Sequence, residues 1–151
     1  MAGSVEQIFI VPRSGETPIP VGSVRAHAGR GLGGDRNFSP PDRWIPTGCA
    51  ISLIEAEVIE AVLDEHGIDL MEGRSRRQVV TRGVRLNDLV GKEFRVGSLR
   101  CRATELCEPC LDLQAYLGDP RTIKVLVHRA GVRGDILDGG ELRVGDPVGA
   151  A

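Results

Sequence analysis

EFRVGSLRCRATELCEPC, residues 93–110, predicts two β-strands that lead directly into a pair of cysteines. Apolar and polar residues alternate over Glu93–Val96 and Leu99–Glu105, which is typical of strands with one buried face. Gly97 and Ser98 lie between them and predict a two-residue hairpin turn. We therefore expect an antiparallel hairpin whose second strand runs into residues 107–110.

Short strands recur along the rest of the chain. The pattern predicts further strands at Glu6–Val11, Ser23–His27, Gln78–Thr81, Ile123–Val127, Asp135–Leu137 and Glu141–Val144. Gly139 and Gly140 predict a second hairpin turn between the last two strands, and the Gly- and Pro-rich residues 29–46 predict a loop. Many short strands with few helices favour a mainly β fold with peripheral helices (α+β), in which helices pack outside a β-barrel or a strongly bent sheet.

One long helix is predicted to begin near residue 52. Ser52 and Glu55 have the spacing of a capping box, an apolar pattern continues through Leu63, and Gly67 follows at the position of a helix C-cap. A short helical turn is also predicted at Arg85–Val90.

The composition predicts one globular domain over residues 1–151, with 41% hydrophobic and 26% charged residues. A net charge of -2 gives no electrostatic footprint for nucleic acid, so no nucleic-acid partner is expected. No stretch approaches the ~20 apolar residues of a transmembrane helix, so no membrane association is expected. Since the first residues also lack the features of a secretory signal, we expect a cytoplasmic protein with reduced cysteines.

Cys110 begins a helix-like segment that continues to Leu117. A thiol in the first turn of a helix lies at the positive end of the helix dipole, where the thiolate form is favoured and can attack electrophiles or bind soft metals. Pro109 keeps Glu108 extended and stiffens the entry to the helix. An alternative of equal weight is that Cys107 and Cys110 are small buried hydrophobic residues, because free cysteines usually are.

These cysteines match a zinc site only in part. Cys101, Cys107 and Cys110 have the spacing C-x5-C-x2-C, whereas a structural zinc usually takes four ligands in paired knuckles. His128 could supply the fourth ligand, although a histidine in this context is more often structural. Chemistry of the thioredoxin type also fits poorly, because the pair follows a hairpin instead of opening a βαβ unit.

Three segments that contain arginine are candidates for anion binding, since guanidinium groups form paired hydrogen bonds with phosphate and carboxylate. They are Gly31–Arg36, Arg74–Gln78 and His128–Gly134. The glycines of the first segment leave N–H groups free to cradle an anion. In the second, Arg76 and Gln78 would share one face of the predicted strand, with Arg77 on the other. A surface turn and a solvated basic edge are the alternatives for these two segments.

Taken in chain order, these segments resemble the MOSC domain family, which is named after the C-terminal domain of molybdenum cofactor sulfurase. The matching motifs are Pro12–Ser14, Gly34–Arg36, Arg76–Val84, Leu86–Lys92, Phe94–Gly97, Cys107–Cys110, Gly131–Gly134 and Gly140–Asp146. Each motif is short, and their common order over nearly the whole chain makes the resemblance specific. It implies a small stand-alone MOSC domain with a MOSC-type mixed β-barrel.

The resemblance also implies a bound molybdenum cofactor, a pyranopterin, whereas pyridoxal phosphate is not expected in this domain. Cys110 takes the family position of the metal ligand or sulfur carrier, and Glu108 takes a position whose backbone or side chain faces the metal, so these two are the expected catalytic residues. The expected cofactor-binding residues are Arg13, Ser14, Arg36, Arg76 and Gln78. Gln78 departs from the family pattern, which commonly has Asn there. Asp35 is expected to orient nearby arginines.

The function implied by the resemblance is an oxidoreductase that reduces N-hydroxylated or N-oxide compounds at molybdenum. The chain has no motif for an iron–sulfur cluster, haem or flavin, so electrons for the small-molecule substrate would come from a separate electron-donor protein. The first alternative is a sulfur carrier, in which Cys110 holds a persulfide received from a sulfur-donor protein, or a carrier of the molybdenum cofactor without turnover. The second is a non-catalytic structural or interaction domain with core cysteines or a zinc site.

Overall fold

A computed structural model describes residues 3–40, 43 and 45–151 of the chain. A 3-10 turn lies at Leu86–Leu89, as the sequence predicts. The other elements, in chain order, are β1 (Gly3–Ile10), β2 (Ile19–Val21), β3 (Ser23–His27), β4 (Gly31–Leu32), β5 (Ile51–Glu55), α1 (Ala56–His66), β6 (Val79–Arg82), β7 (Glu93–Val96), β8 (Leu99–Leu106), α2 (Leu111–Leu117), α3 (Thr122–Leu126), β9 (Val132–Asp138), β10 (Gly140–Arg143) and β11 (Pro147–Ala150).

Seven strands close into a mixed β-barrel in the order β11-β7-β8-β9-β5-β6-β1, and the pairing of β1 with β11 completes the ring. β5 and β6 run parallel, while the other neighbours in the ring are antiparallel. β2 extends β1 beyond the ring, and β3, β4 and β10 form a separate three-stranded sheet. This confirms the predicted mainly β fold with peripheral helices and a MOSC-type barrel.

Alternating apolar residues of the predicted hairpin, β7 and β8, point into the barrel core. The side chains of Phe94 and Val96 on β7 and of Leu99, Cys101 and Ala103 on β8 are almost fully buried, because successive residues of a strand point to opposite faces. Full burial of a large apolar side chain contributes about 1.5–3 kcal/mol. The hairpin therefore supplies one wall of the core.

A second apolar cluster lies outside the barrel, under the helices. Ile59 and Val62 of α1, Leu113 of α2 and Leu126 of α3 pack there with outward-facing residues of the strands. The three helices therefore cover one side of the barrel, as expected for peripheral helices. Within the described residues, no helix is long and apolar enough to cross a membrane.

The predicted capping box was wrong. Ser52 to Glu55 lie in β5, and α1 begins at Ala56 without a side-chain cap, although it ends at Gly67 with φ 68° as predicted. A strand that is buried on both faces is a short continuous apolar run, and such a run resembles the start of a buried helix. Tertiary pairing of β5 with β6 and β9 decides between the two.

Two further predictions were wrong near the C-terminus. Residues 123–127, predicted as a strand, belong almost entirely to the short helix α3, which packs against α2. The expected hairpin at Gly139 and Gly140 does not form, because β10 pairs with β3 and not with β9. The hydrophobic pattern correctly predicts that β9 and β10 are strands, but the partner of each strand depends on the whole fold.

Gly131, directly before β9, provides a test of this architecture. Its φ is 100°, and an added Cβ would collide with the carbonyl oxygen of Leu53. We expect Gly131→Ala to lower the free energy of unfolding by about 2–4 kcal/mol in urea denaturation, from backbone strain and the collision together. Gly91→Ala is the control, since Gly91 also has positive φ (83°) but open space around it, and should cost only ~1 kcal/mol. Equal losses for both variants would contradict the close approach.

Candidate functional site

The predicted site residues lie at one end of the barrel. β1 and β8 end there, whereas β6 and β9 begin there. Two adjoining clefts open at this end. The first, the Cys110 cleft of about 360 Å³, is lined by Ser14, Gly15, Arg36, Arg76, Arg77, Cys110, Asp112, Leu113 and Tyr116. The second, the Arg133 cleft of about 250 Å³, is lined by Arg36, Asn37, Gly48, Cys49, Ile51, Ser52, Arg76, Arg77, Gln78, Cys107 and Arg133.

Cys110 is the N-cap residue of α2 and is exposed to solvent. Its backbone is extended, with φ -128° and ψ 173°, and its carbonyl oxygen accepts the first helical hydrogen bond, from the N–H of Gln114 at 3.0 Å. The prediction that Cys110 begins a helix is confirmed. The alternative that Cys110 is a buried packing residue is excluded by its exposure.

The segment that carries Cys110 is held by a buried arginine. Arg77 is only 8% exposed. Its Nε donates to the carbonyl oxygen of Ala130 at 2.9 Å, and its Nη2 donates to that of Cys107 at 2.7 Å. Arg77 thus joins the start of β6 to the segments before β9 and α2.

Arg76 closes one side of the Cys110 cleft. Its backbone is in the left-handed region, with φ 62°. Its guanidinium donates to the carbonyl oxygen of Glu16 at 2.9 Å and lies 4.8 Å from the centre of the Tyr116 ring, within reach of a cation–π interaction. β6 begins only at Val79, so the strand alternation predicted for Arg76 and Arg77 does not apply, and both line the clefts.

Gln78 belongs to a buried polar network at the floor of the Arg133 cleft. Its amide nitrogen donates to Oδ2 of Asp35 at 2.8 Å, and its amide oxygen accepts the N–H of Ser52 at 2.9 Å. Oδ1 of Asp35 accepts the N–H of Val11 at 2.8 Å. Asp35 therefore orients Gln78 and the loop after β1, and the expectation that it orients arginines was wrong within the described residues.

The structure brings most of the other expected cofactor residues together. Arg36 lines both clefts, and Ser14 lines the Cys110 cleft. Arg13 is exposed on the same loop, next to Ser14, but is not among the residues that line either cleft. Two of the three arginines that were expected to bind the cofactor, Arg36 and Arg76, therefore lie at the same cleft.

Glu108 is directed to a residue outside both clefts. Its Oε1 accepts the N–H of His128 at 2.7 Å, and its Oε2 lies 2.6 Å from Nδ1 of the same residue. Neither residue lines the two clefts, so the expectation that Glu108 faces the reacting centre is not met by its side chain. Glu108 instead fixes His128, whose φ of 62° places it in the left-handed region.

The predicted set of zinc ligands does not converge. Cys101 is fully buried in the barrel core, where burial, with a smaller contribution from Asp135, raises the pKa of its thiol to about 12. Cys107 lies six positions further along the chain, just beyond the end of β8, which corresponds to roughly 20 Å at ~3.3 Å per residue. In the part of the chain that the structure describes, no group of three or more His, Cys, Asp and Glu side chains could hold a metal.

The Arg133 cleft places Cys49, which the sequence did not single out, beside Arg133 of the third candidate anion-binding segment. Nη1 of Arg133 donates to Sγ of Cys49 at 3.7 Å, and Nη2 donates to Glu105 at 2.6 Å. Cys107 lines the same cleft. Burial raises the pKa of the Cys107 thiol, and the guanidiniums of Arg77 and Arg133 oppose that rise.

Ion pairing distinguishes three cleft arginines from many of the others. Arg133 of the second cleft pairs with Glu105, and seven arginines outside the clefts also pair with carboxylates: Arg74, Arg82, Arg85, Arg100, Arg102, Arg121 and Arg129. Among the described residues, no carboxylate forms an ion pair with Arg36, Arg76 or Arg77. Guanidiniums without carboxylate partners in a concave site attract anions, so the shared wall of the two clefts is suited to a phosphate or carboxylate.

Comparison with known proteins identifies the class. The MOSC domain profile matches residues 29–149, so the chain belongs to the MOSC domain family. Among curated proteins, none matches the sequence.

Solved structures of the same fold include bacterial proteins of low sequence identity. YuaD from Bacillus subtilis has a TM-score of 0.79 and 16% identity, with 98% of this chain and 94% of that chain covered. YiiM from Geobacillus stearothermophilus has a TM-score of 0.76 and 14% identity, with 99% and 75% covered. YiiM from Escherichia coli has a TM-score of 0.70 and 18% identity, with 100% and 70% covered. At these identities the likeness shows the fold.

Cys49 and Tyr116 are among the cleft residues that the sequence analysis missed, whereas Arg77 and Arg133 lay in candidate anion-binding segments but were not expected to bind the cofactor. Arg77 and Arg133 lie inside the motifs of the family resemblance, so a test of every motif arginine would have found them. Cys49 follows a loop and Tyr116 lies along α2, and no local pattern connects either residue to the site. Only the packing of β9, α2 and the loop before β5 brings them there.

The three cysteine environments predict different reactivities in cofactor-free protein. With iodoacetamide near neutral pH, we expect the exposed Cys110 to be alkylated faster than Cys49 and much faster than the buried Cys101. Labelling of Cys107 should rise only at higher pH, because its raised pKa leaves little of the reactive thiolate near neutrality.

Mass-spectrometric assignment of the labelled peptides over a pH series measures these rates. Urea-unfolded protein is the control, in which all four cysteines should react at similar rates. If Cys110 reacts no faster than Cys101 until the protein unfolds, Cys110 is not the accessible thiol of this cleft.

Proposed function

We propose that this MOSC protein binds the molybdenum cofactor in the Cys110 cleft and is an oxidoreductase that reduces N-hydroxylated or N-oxide compounds. The observation that carries the proposal is the convergence of an exposed thiol, Cys110, with Arg36, Arg76 and Arg77, which have no carboxylate partner among the described residues. The resemblance to the family supplies the identity of the cofactor and the class of reaction.

The residues of the two clefts fit this cofactor chemically. A pyranopterin molybdenum cofactor combines a phosphate, a polar heterocycle and a soft metal. Arg36 and Arg76 are suited to the phosphate, the Cys110 thiolate to the metal, and the amides of Asn37 and Gln78 line the adjoining cleft for a heterocycle. When bound, the cofactor supplies oxygen-atom transfer.

Each chain residue has a defined task in this proposal. Arg77 keeps the Cys110 segment in place through the carbonyl of Cys107. The network of Gln78, Asp35 and Ser52 fixes the floor of the adjoining cleft. Because the carboxylate of Glu108 is engaged with His128, protons would reach the Cys110 cleft from solvent. Asp112 is the carboxylate residue among those that line this cleft. Electrons would come from a separate donor protein.

The exposure of Cys110 also favours a second candidate function, a sulfur carrier. In that function the Cys110 thiol holds a persulfide received from a sulfur-donor protein, and no turnover occurs on this chain. An exposed thiol is accessible to a donor protein, which a buried one is not. The two candidates differ in what the purified protein contains, molybdenum or labile sulfur.

Metal and sulfur analysis of protein made in a host that synthesises the cofactor tests both candidates. We expect roughly one molybdenum per chain, as one thiolate site implies, and its loss in Cys110→Ser. Cys107→Ser is the matched control, because the same atom is removed three residues away, and should retain most of the metal. Equal molybdenum in wild type and Cys110→Ser would refute the ligand assignment, while labile sulfur without molybdenum would establish the carrier.

The arginines at the shared wall of the two clefts predict that anion affinity falls when one of them is removed. Arg36→Ala and Arg76→Ala should each weaken binding of the phosphate-bearing cofactor by about 1–3 kcal/mol, the range for charge-assisted hydrogen bonds. Arg13→Ala removes the same charge from a position that does not line either cleft, and should have a smaller effect. Equilibrium dialysis of cofactor or of inorganic phosphate measures the loss. An effect of Arg13→Ala as large as the other two would show that net charge, and not the cleft, is responsible.

A further inference from the structure

The Arg133 cleft brings together two thiols that the proposed function does not use. Cys49 precedes β5 and Cys107 follows β8, and both line the cleft around Arg133. Sγ of Cys49 accepts a hydrogen bond from Nη1 of Arg133 at 3.7 Å. Their proximity is a product of the fold, since β9 lies between β5 and β8 in the barrel.

The charged residues that line this cleft are all arginines. Arg36, Arg76, Arg77 and Arg133 line the cleft, and no Asp or Glu is among the described residues that do so. Glu105 pairs with Arg133 but is not part of the lining. A concave surface with an excess of one charge raises the local concentration of the opposite ion, so this cleft favours anionic ligands over neutral ones.

The loop that carries Cys49 is held tightly on the barrel. Gly48 has φ 82°, and an added Cβ would collide with Oγ1 of Thr104 on β8. The N–H of Gly48 donates to Oδ1 of Asp135 at 2.6 Å. Cys49 is therefore presented at a fixed place beside Arg133, half-buried but open to the cleft.

We propose that the Arg133 cleft is a site of thiol modification, at which Cys49 forms a mixed disulfide with an anionic low-molecular-weight disulfide. The Cys49 thiol gives its proton to solvent, and its sulfur bonds to one sulfur of the ligand. The S–S bond of the ligand breaks, and the other half leaves as a thiolate, so the ligand itself is the oxidant. Cys107 is the slower thiol of the pair, because burial raises its pKa.

Two disulfide probes of different charge test the proposal in cofactor-free Cys110→Ser protein. The anionic probe is dithiobis(nitrobenzoate), and the neutral probe is dithiodipyridine, with modified sites assigned by peptide mass spectrometry. We expect the anionic probe to modify Cys49 first, and we expect high salt to slow it but not the neutral probe. The ratio of anionic to neutral rates at Cys49 should fall about 3–10-fold in Arg133→Gln, the effect of one partly screened charge.

Control variants separate the local charge from net charge and from loss of structure. Arg95→Gln removes the same charge from an exposed position on β7 and should leave the ratio unchanged, and Arg133→Lys should largely preserve it. Labelling of the core thiol Cys101 shows whether a variant has unfolded. If a variant has unfolded, the salt dependence of Cys49 modification in the Cys110→Ser protein decides the proposal. The proposal is wrong if Cys49 reacts no faster than Cys101, if the rate ratio is insensitive to salt, or if Arg95→Gln and Arg133→Gln lower it equally. None of these outcomes depends on whether the chain binds molybdenum.

Discussion

The hydrogen bonds of the buried Arg77 guanidinium hold together the segments from which the site is built. A buried charge is costly unless its donors are satisfied, and Arg77 donates to the carbonyl oxygens of Ala130 and Cys107. Carbonyl oxygens satisfy the donors without neutralising the charge. One side chain therefore fixes the cysteine segment relative to β6 and β9, and it also leaves a positive charge beneath both clefts. Structural support and attraction for an anion have the same origin.

The same fold places chemically identical side chains in different environments. Cys101 faces the interior of the barrel, and its pKa is raised to about 12. Cys107, just beyond the end of the same strand, has a raised pKa that neighbouring guanidiniums oppose. Cys110 caps α2 in solvent. For Cys101, Cys107 and Cys110, the position relative to the end of β8 thus decides whether the thiol packs in the core or can react. Cys107 shares the Arg133 cleft with Cys49.

Local patterns predicted those parts of the fold in which local interactions decide the outcome. The hairpin of β7 and β8 and the C-cap of α1 at Gly67 follow from alternation and from the conformational freedom of glycine, and both predictions were confirmed. Residues 52–55 and 123–127 were assigned to the wrong type of element, because short apolar runs suit a buried strand and a helix alike. The partner of β10 was wrong because pairing depends on segments far apart in the chain.

The sequence by itself determined the class of this protein: a β-rich domain whose ordered motifs belong to the MOSC family, with Cys110 at the start of a helix and arginines in three segments. Tertiary structure alone decided how these residues are used. It directed Glu108 to His128, engaged Gln78 with Asp35, and placed Cys49 beside Arg133. The physical reason is that side-chain partners are set by which strands close the barrel and how loops pack on its end, whereas motif order records only position along the chain.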